Sequence, residues 1–156
     1  VKRVIGHDNV MIGSDGLPHD QRPHPRLWGA FSRVLGRYVR EMRVLGMEQA
    51  IRRMTSLTAA QFGLRDRGVL RAGCYADVVV FDPAAVVDLA TFADPLQPSA
   101  GIQAVLVNGQ LVEEHGAPTG ARPGRLLRGD DRAAPGFDTP AWAGPGTPAS
   151  SDQPAA

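Results

Sequence analysis

An α/β fold is predicted for this 156-residue chain from the order in which its sequence patterns occur. Val10–Ile12 is an apolar run that stops at Gly13, which is typical of a short buried strand ending in a turn. Residues 27–62 then carry apolar side chains at helical spacing, and β-branched residues become frequent from Ala76 onwards. A strand, a polar loop, helices and a β segment are therefore expected in this order.

The overall composition is that of a globular protein with nearly balanced charge. Hydrophobic residues make up 43% of the chain, and 17 basic residues face 16 acidic ones. This balance argues against a nucleic acid or an anionic membrane as partner and favours a small-molecule ligand. No apolar run reaches the roughly 18 residues of a membrane span. The single cysteine, Cys74, excludes an internal disulfide and suits a reducing compartment, so we expect a cytoplasmic location.

Two polar clusters near the N-terminus form one candidate site. Asp15 follows the apolar run directly, and strand ends are where α/β enzymes carry catalytic side chains. The second cluster, residues 18–26, contains His19, His24 and Arg26. Asp15 is the first catalytic candidate, although Ser-Asp-Gly is also ordinary turn chemistry, and the residues alone support both interpretations equally.

The helical region is predicted from about Leu27 to Phe62. A first amphipathic helix ends at Gly46, and a second follows it. Residues 58–61 have the spacing of a capping box, and Gly63 is well placed to end the short helix that this box would start. The exposed face of the second helix is expected to carry Glu48, Gln49, Arg52 and Arg53.

The β segment contains the strongest local signal in the chain. Ile102–Val107 and Gln110–Glu114 flank Asn108 and Gly109, which both tolerate the positive φ of a type I′ turn, so a hairpin is predicted. Residues 76–83 are β-branched and end in a proline, which indicates another strand. Residues 86–99, between these strands, are expected to form a surface excursion.

The two ends of the chain are not expected to complete a closed fold. From residue 129 to residue 156, sixteen of twenty-eight residues are Ala, Gly or Pro, so we expect a disordered tail. At the other end, a lone strand with helices would leave its edges and an apolar face without partners. We therefore expect further strands from a longer chain truncated at its N-terminus, or from a second polypeptide.

Several short motifs occur in a fixed order along residues 1–128. They are Gly-Ser-Asp-Gly at 13–16, His-Pro-Arg at 24–26, Met-Thr-Ser-Leu at 54–57, Phe-Gly-Leu at 62–64, Asp-Arg-Gly at 66–68, Ala-Asp-Val-Val-Val-Phe-Asp-Pro at 76–83, Val-Asn-Gly at 107–109 and Thr-Gly-Ala-Arg-Pro-Gly-Arg at 119–125. In this order they resemble the C-terminal part of the N-acyl-D-amino-acid deacylases, the D-aminoacylases of the amidohydrolase superfamily.

The resemblance implies a fragment of a (β/α)8 metal-dependent hydrolase barrel plus part of a small β domain. Residues 1–64 would be the end of the barrel, with its last strand ending at Asp15. Residues 65–128 would belong to the small β domain, and residues 129–156 would be the tail. The missing N-terminal barrel of the same protein would be the partner that completes the fold.

The resemblance also implies a reaction and roles for four residues. The enzyme would hydrolyse the amide bond of an N-acyl-D-amino acid to a carboxylate and a free D-amino acid. Asp15 would take a proton from the attacking water as general base and pass it to the departing nitrogen as general acid. Arg26 would bind the substrate carboxylate through two parallel hydrogen bonds, unless it is simply a solvated arginine at a helix start. Ser14 and His24 would also belong to the substrate-binding site, Ser14 through backbone shape and His24 by orienting Arg26 or Asp15, unless it is simply a loop histidine.

Zinc is the cofactor that the resemblance implies, bound by residues absent from this chain. The family holds its metal with a His-x-His pair, a cysteine and further histidines from earlier strands. The histidines of this chain do not have that spacing, and Cys74 lies at a position that the family does not use for zinc. The chain is therefore expected to be inactive by itself.

Two other interpretations stay open. The chain can be a non-catalytic remnant or interaction module in which Asp15 and Arg26 have no function. It can also belong to a cyclic amidase of the dihydroorotase or hydantoinase type. Such enzymes share the Ala-Asp-Val-Val-Val-Phe-Asp motif, but we do not expect them to combine Gly-Ser-Asp-Gly with His-Pro-Arg.

Overall fold

The structure, a computed structural model, describes residues 1–127 except Pro18 and Asp20. The predicted disordered tail, residues 129–156, lies outside the described residues. The helices are α1 (Lys2–Ile5), α2 (Arg26–Arg33), which continues as a π-helix (Val34–Glu41), α3 (Met47–Met54) and α4 (Ser56–Gln61). The strands are β1 (Val78–Phe81), β2 (Ile102–Val107), β3 (Gln110–Glu114) and β4 (Ala117–Pro118). None of the helices in this part of the chain is long and apolar enough to cross a membrane.

The helices confirm the region predicted between residues 27 and 62, with a difference at α4. The first helix ends at Glu41, before the predicted end at Gly46, and Gly46 is instead the residue before α3, in extended conformation. The capping-box prediction is wrong, because α4 begins at Ser56 and Thr58 lies inside it. Gly63, with φ of 71°, does end α4, and the N–H groups of Gly63 and Leu64 bond back into its last turn.

The strand predicted at Val10–Ile12 is not present as a strand. Within the described residues this segment forms no β-ladder. Its backbone hydrogen bond to a distant part of the sequence runs from the Ile12 N–H to the Arg53 carbonyl, at 3.3 Å. A β-strand requires a neighbouring strand for its backbone groups, and the described residues supply none beside it. The α/β prediction therefore corresponds here to helices plus one small antiparallel sheet.

The sheet follows the order β1-β2-β3-β4, with antiparallel neighbours throughout. The hairpin prediction is confirmed in its strand bounds, and φ is positive at both Asn108 (49°) and Gly109 (79°), as a type I′ turn requires. β1 occupies the middle of the strand predicted at residues 76–83.

The hydrophobic core lies where the helices meet the segment before β2. Its buried members are Val34, Leu35, Val39, Leu45, Ala50 and Val86. Val86 is fully buried, so the prediction of a surface excursion over residues 86–99 is wrong at its start. The segment reaches the core because Gly36 lacks a side chain: a Cβ there would lie 2.7 Å from the Val86 carbonyl oxygen.

Arg53 is the second residue whose burial differs from the prediction. Glu48, Gln49 and Arg52 are exposed as expected, whereas Arg53 is only 1% exposed. Helical periodicity places Arg53 near the edge of the polar face of α3. Periodicity carries no information about which other segment covers this edge, so the burial of Arg53 by the N-terminal segment could not be predicted. The segment preceding Asp15 lies there, as described below.

Candidate active site

Asp15 and Arg26, the two main predicted site residues, are in direct contact. Arg26 Nη2 lies 2.9 Å from Asp15 Oδ2, and Arg26 Nε donates a hydrogen bond to the Asp15 main-chain oxygen, also at 2.9 Å. The side chains are 43% and 81% exposed, respectively. The guanidinium thus binds both the carboxylate and the carbonyl of the same residue, while leaving the carboxylate accessible to solvent.

The backbone around Asp15 is shaped by its neighbours Ser14 and Gly16. Asp15 has φ of 50°, a left-handed conformation that is uncommon outside glycine but tolerated by Asp. Ser14 Oγ accepts the Gly16 N–H at 3.3 Å, which supports the turn. A Cβ at Gly16 would lie 2.8 Å from Leu27 Cα, so only glycine lets this turn pack against the beginning of α2. In this structure Ser14 supports the turn through its bond to the Gly16 N–H, and its place in substrate binding stays a prediction.

His24 lies at the beginning of α2 beside Arg26. Its Nδ1 accepts the Arg26 N–H at 3.1 Å, so it contacts the main chain of Arg26 and not the guanidinium. Its ring meets Phe92 edge to face, with centroids 4.9 Å apart. His24 thus contacts Arg26 through the helix start, its orienting role stays a prediction, and His19 is exposed.

A depression of about 290 Å³ opens beside Arg26, between the beginning of α2 and the segment before β2. His24, Arg26 and Phe92 line one part of it, and the Arg33–Asp88 ion pair, at 2.7 Å, lines another. The hydrogen bond to Asp88 raises the pKa of Arg33 above its ordinary value, although partial burial opposes this shift. Phe92 and Asp88 were missed by sequence reasoning because they lie in the segment expected to be a surface excursion.

The described residues do not form a zinc site by themselves. In residues 1–17, 19 and 21–127, no three His, Cys, Asp or Glu side chains are grouped so that they could hold a metal ion. What the arrangement offers chemically is an exposed carboxylate that can accept and donate a proton, next to a guanidinium that can bind an anionic ligand.

Comparison with known proteins gives consistent matches over this region. Residues 1–113 match the family described as "Amidohydrolase family". The D-aminoacylase of Alcaligenes xylosoxydans xylosoxydans is 56% identical over 127 residues, which are 81% of this chain and 26% of that protein. A much shorter match, 42% over 53 residues, is to a dihydroorotase of Lactobacillus helveticus (strain DPC 4571) and covers 34% of this chain and 12% of that protein.

Among solved structures, the chain is similar to the N-acyl-D-glutamate deacylase of Bordetella bronchiseptica, which was crystallised with zinc and a phosphonate inhibitor that mimics the tetrahedral intermediate. The identity is 57%, the TM-score is 0.77, and the match covers 81% of this chain and 27% of that one. The chain thus spans about a quarter of the length of the relatives that it matches. The family resemblance predicted from the sequence motifs is confirmed by these matches.

Proposed function

The chain belongs to the amidohydrolase family, and on this premise we propose that it is the C-terminal part of an N-acyl-D-amino-acid deacylase. The complete enzyme hydrolyses the amide bond of an N-acyl-D-amino acid, giving a carboxylate and a free D-amino acid. The observation that carries this proposal is the exposed Asp15 carboxylate, held 2.9 Å from Arg26 within residues 1–113, which match the amidohydrolase family.

We propose that residues 1–64 complete a (β/α)8 barrel and that residues 65–128 contribute to a small β domain. Val10–Ile12 supports the first assignment, because this apolar segment forms no β-ladder within the described residues and a strand from the rest of the barrel can pair with it. β1 supports the second: it pairs only with β2 within the described residues, and Val79 and Val80 are 52% and 43% exposed. An apolar edge strand of this kind is expected to pair with further strands.

Asp15 is the proposed proton carrier. Its carboxylate accepts a proton from the attacking water as the new C–O bond forms. It then donates that proton to the amide nitrogen as the C–N bond breaks, so the amine leaves as a neutral group. Such general acid–base catalysis typically contributes about 100- to 10,000-fold to the rate. The 81% exposure of the Asp15 side chain supports this role, because substrate and water can reach it.

Arg26 is the proposed binding group for the substrate carboxylate. The Nε–H bond to the Asp15 carbonyl keeps the guanidinium in place, while the Nη2 contact to the Asp15 carboxylate is an exposed ion pair. Because exposed ion pairs contribute only about 0–1 kcal/mol, a substrate carboxylate can replace Asp15 on Nη2 at little cost. This exchange would release the Asp15 carboxylate for proton transfer at the moment when substrate binds. His24 supports the site by bonding the first N–H of α2.

The zinc present in the Bordetella structure supports zinc as the cofactor of the complete enzyme. It would be bound by residues outside this chain and would supply an activated water, since zinc lowers the pKa of bound water to about 7. A cytoplasmic location stays a prediction.

A cyclic amidase is the second enzymatic candidate. The dihydroorotase match covers 34% of the chain, whereas the D-aminoacylase match covers 81%. The longer match favours the deacylase. A non-catalytic module would not require an accessible carboxylate beside an arginine, so this arrangement also favours the enzyme.

The test is turnover by the full-length protein loaded with zinc. We expect it to release free D-amino acids from N-acetyl-D-amino acids, detected with a D-amino-acid oxidase, and to leave the L enantiomers and dihydroorotate unchanged. The 156-residue chain by itself is expected to show no turnover. Absence of D-amino acid release by the full-length protein would contradict the proposed function, and turnover by the isolated chain would contradict the role given to the rest of the barrel.

A further inference from the structure

Arg53, on α3, is a buried cation that the proposed chemistry does not use. It is 1% exposed, whereas the adjacent Arg52 is exposed. Burying a guanidinium is costly unless the surrounding groups satisfy it, so its contacts indicate what it holds. Outside α3 and α4, the hydrogen bonds and the ion pair described for Arg53 all go to residues 5–12, the segment that leads to Asp15.

The side chain of Arg53 binds this segment at two points. Its Nη1 donates a short hydrogen bond to the Ile5 carbonyl, which lies at the end of α1. Its Nη2 lies 3.2 Å from Asp8 Oδ1. The Asp8 side chain is 84% exposed, so this carboxylate reaches the guanidinium from the solvent side and keeps its other surface free.

The main chain of Arg53 binds the same segment at a third point. Its carbonyl accepts the Ile12 N–H at 3.3 Å and the Thr58 hydroxyl at 2.8 Å. The carbonyl is available because α3 ends at Met54 and Thr55 leaves helical geometry, with φ −130° and ψ −94°. The last carbonyls of a helix have no partner within the helix, so the break between α3 and α4 provides an acceptor for Ile12.

We infer that Arg53 is a positioning residue for Asp15, an inference that rests on the proposed function. It fixes residues 5–12 by its side chain and its carbonyl, and Asp15 follows Ile12 by only three residues. Asp15 is itself exposed, has an uncommon left-handed backbone, and is held otherwise by Arg26. A displacement of about 1 Å at a reacting group can cost about 100-fold in rate, so this support matters for catalysis.

The test uses the full-length deacylase with Arg53→Met, Arg53→Lys and the matched control Arg52→Met. We expect Arg53→Met to lower kcat per folded enzyme by about tenfold to a hundredfold, because Asp15 loses its alignment. KM should change less than kcat, because the hydrogen bonds and the ion pair described for Arg53 go to residues 5–12 and to Thr58 and not to Arg26. Arg53→Lys keeps the charge and should restore part of kcat, and Arg52→Met should match the wild type.

Hydrogen–deuterium exchange gives a readout that does not depend on activity. The peptide covering residues 5–15 should exchange about tenfold faster in Arg53→Met and at the wild-type rate in Arg52→Met. If Arg53→Met does not fold, the positioning role is tested with Asp8→Asn, because an exposed carboxylate can be changed without unfolding the protein. For Asp8→Asn we expect a smaller loss of kcat at constant KM.

The possible failures are distinguishable. A full-length wild type without deacylase activity would refute the proposed function and, with it, the catalytic importance of Arg53. An active wild type in which the folded Arg53→Met variant, or Asp8→Asn in its place, keeps both kcat and the slow exchange of residues 5–15 would overturn the positioning role alone.

Discussion

The hairpin region, residues 64–127, and the N-terminal segment, residues 1–26, are stabilised in different ways. In the hairpin region, the turn at Asn108 and Gly109 is held by polar side chains of the same region, although Asp88 and Ser99 bond to α2. In the N-terminal segment, the backbone depends on Arg53 of α3, and its two main functional side chains are largely exposed. The hairpin region thus holds its own turn, whereas the N-terminal segment, which contains the proposed site, takes its position from its neighbours.

Arg67 is the centre of the hairpin region's polar network. It is 9% exposed, forms a short ion pair with Asp77, and donates to Asn108 Oδ1 at 2.6 Å. The guanidinium also lies 4.3 Å from the centroid of the Tyr75 ring. Asp77 in turn accepts the Asn108 N–H at 2.8 Å, so the type I′ turn is tied to the loop before β1.

The largest expected stability effect comes from breaking this network. Arg67→Met removes the donor to Asp77 Oδ2 and to Asn108 Oδ1, while Asp77 Oδ1 keeps the Asn108 N–H. Because Asp77 is one-third exposed, we expect a loss of about 2–3 kcal/mol, less than for a fully buried pair. Thermal unfolding of the full-length protein should begin at a lower temperature than for the exposed control Arg65→Met, with kcat unchanged in both. Equal melting temperatures would show that the hairpin region does not depend on its own polar contacts.

Arg26→Ala sharpens the comparison from the other side, because it changes an exposed residue. Stability should change by less than about 0.5 kcal/mol. KM for N-acetyl-D-amino acids should rise about tenfold or more, since a charge-assisted hydrogen bond to the substrate carboxylate is lost. With the corresponding substrate amides, which lack the carboxylate, the variant and the wild type should have the same KM. Unchanged kinetics on the free acids would refute the binding role of Arg26.

The two regions also differ in how well the sequence predicts them. The hairpin follows from Asn108 and Gly109, whose conformational tolerance is a property of the residues themselves, and both strand bounds are confirmed. Gly63 ends α4 for the same local reason. Val10–Ile12 depends on a strand from elsewhere, so its composition predicts a conformation that the described residues do not complete.

Burial was the property that periodicity could not supply. Val86 and Arg53 are both buried by segments distant in the sequence. The local patterns, a stretch with helix and strand breakers around Val86 and a polar helix face around Arg53, give no sign of these distant segments. For the site, motif resemblance identified Asp15 and Arg26, but not that Arg26 binds both the carboxylate and the carbonyl of Asp15. That contact depends on the left-handed turn at Asp15 and on the close packing of Gly16 against α2, which only the folded structure displays.

The most direct measurement of the role proposed for this chain is kcat of the Asp15→Asn variant of the full-length, zinc-loaded protein, compared with the control Asp66→Asn in the hairpin region. We predict that kcat falls about 100- to 10,000-fold, because the amide cannot carry the proton from water to the leaving nitrogen, while zinc content stays equal to that of the wild type. An Asp15→Asn enzyme that retains wild-type kcat would contradict the role of Asp15 as proton carrier.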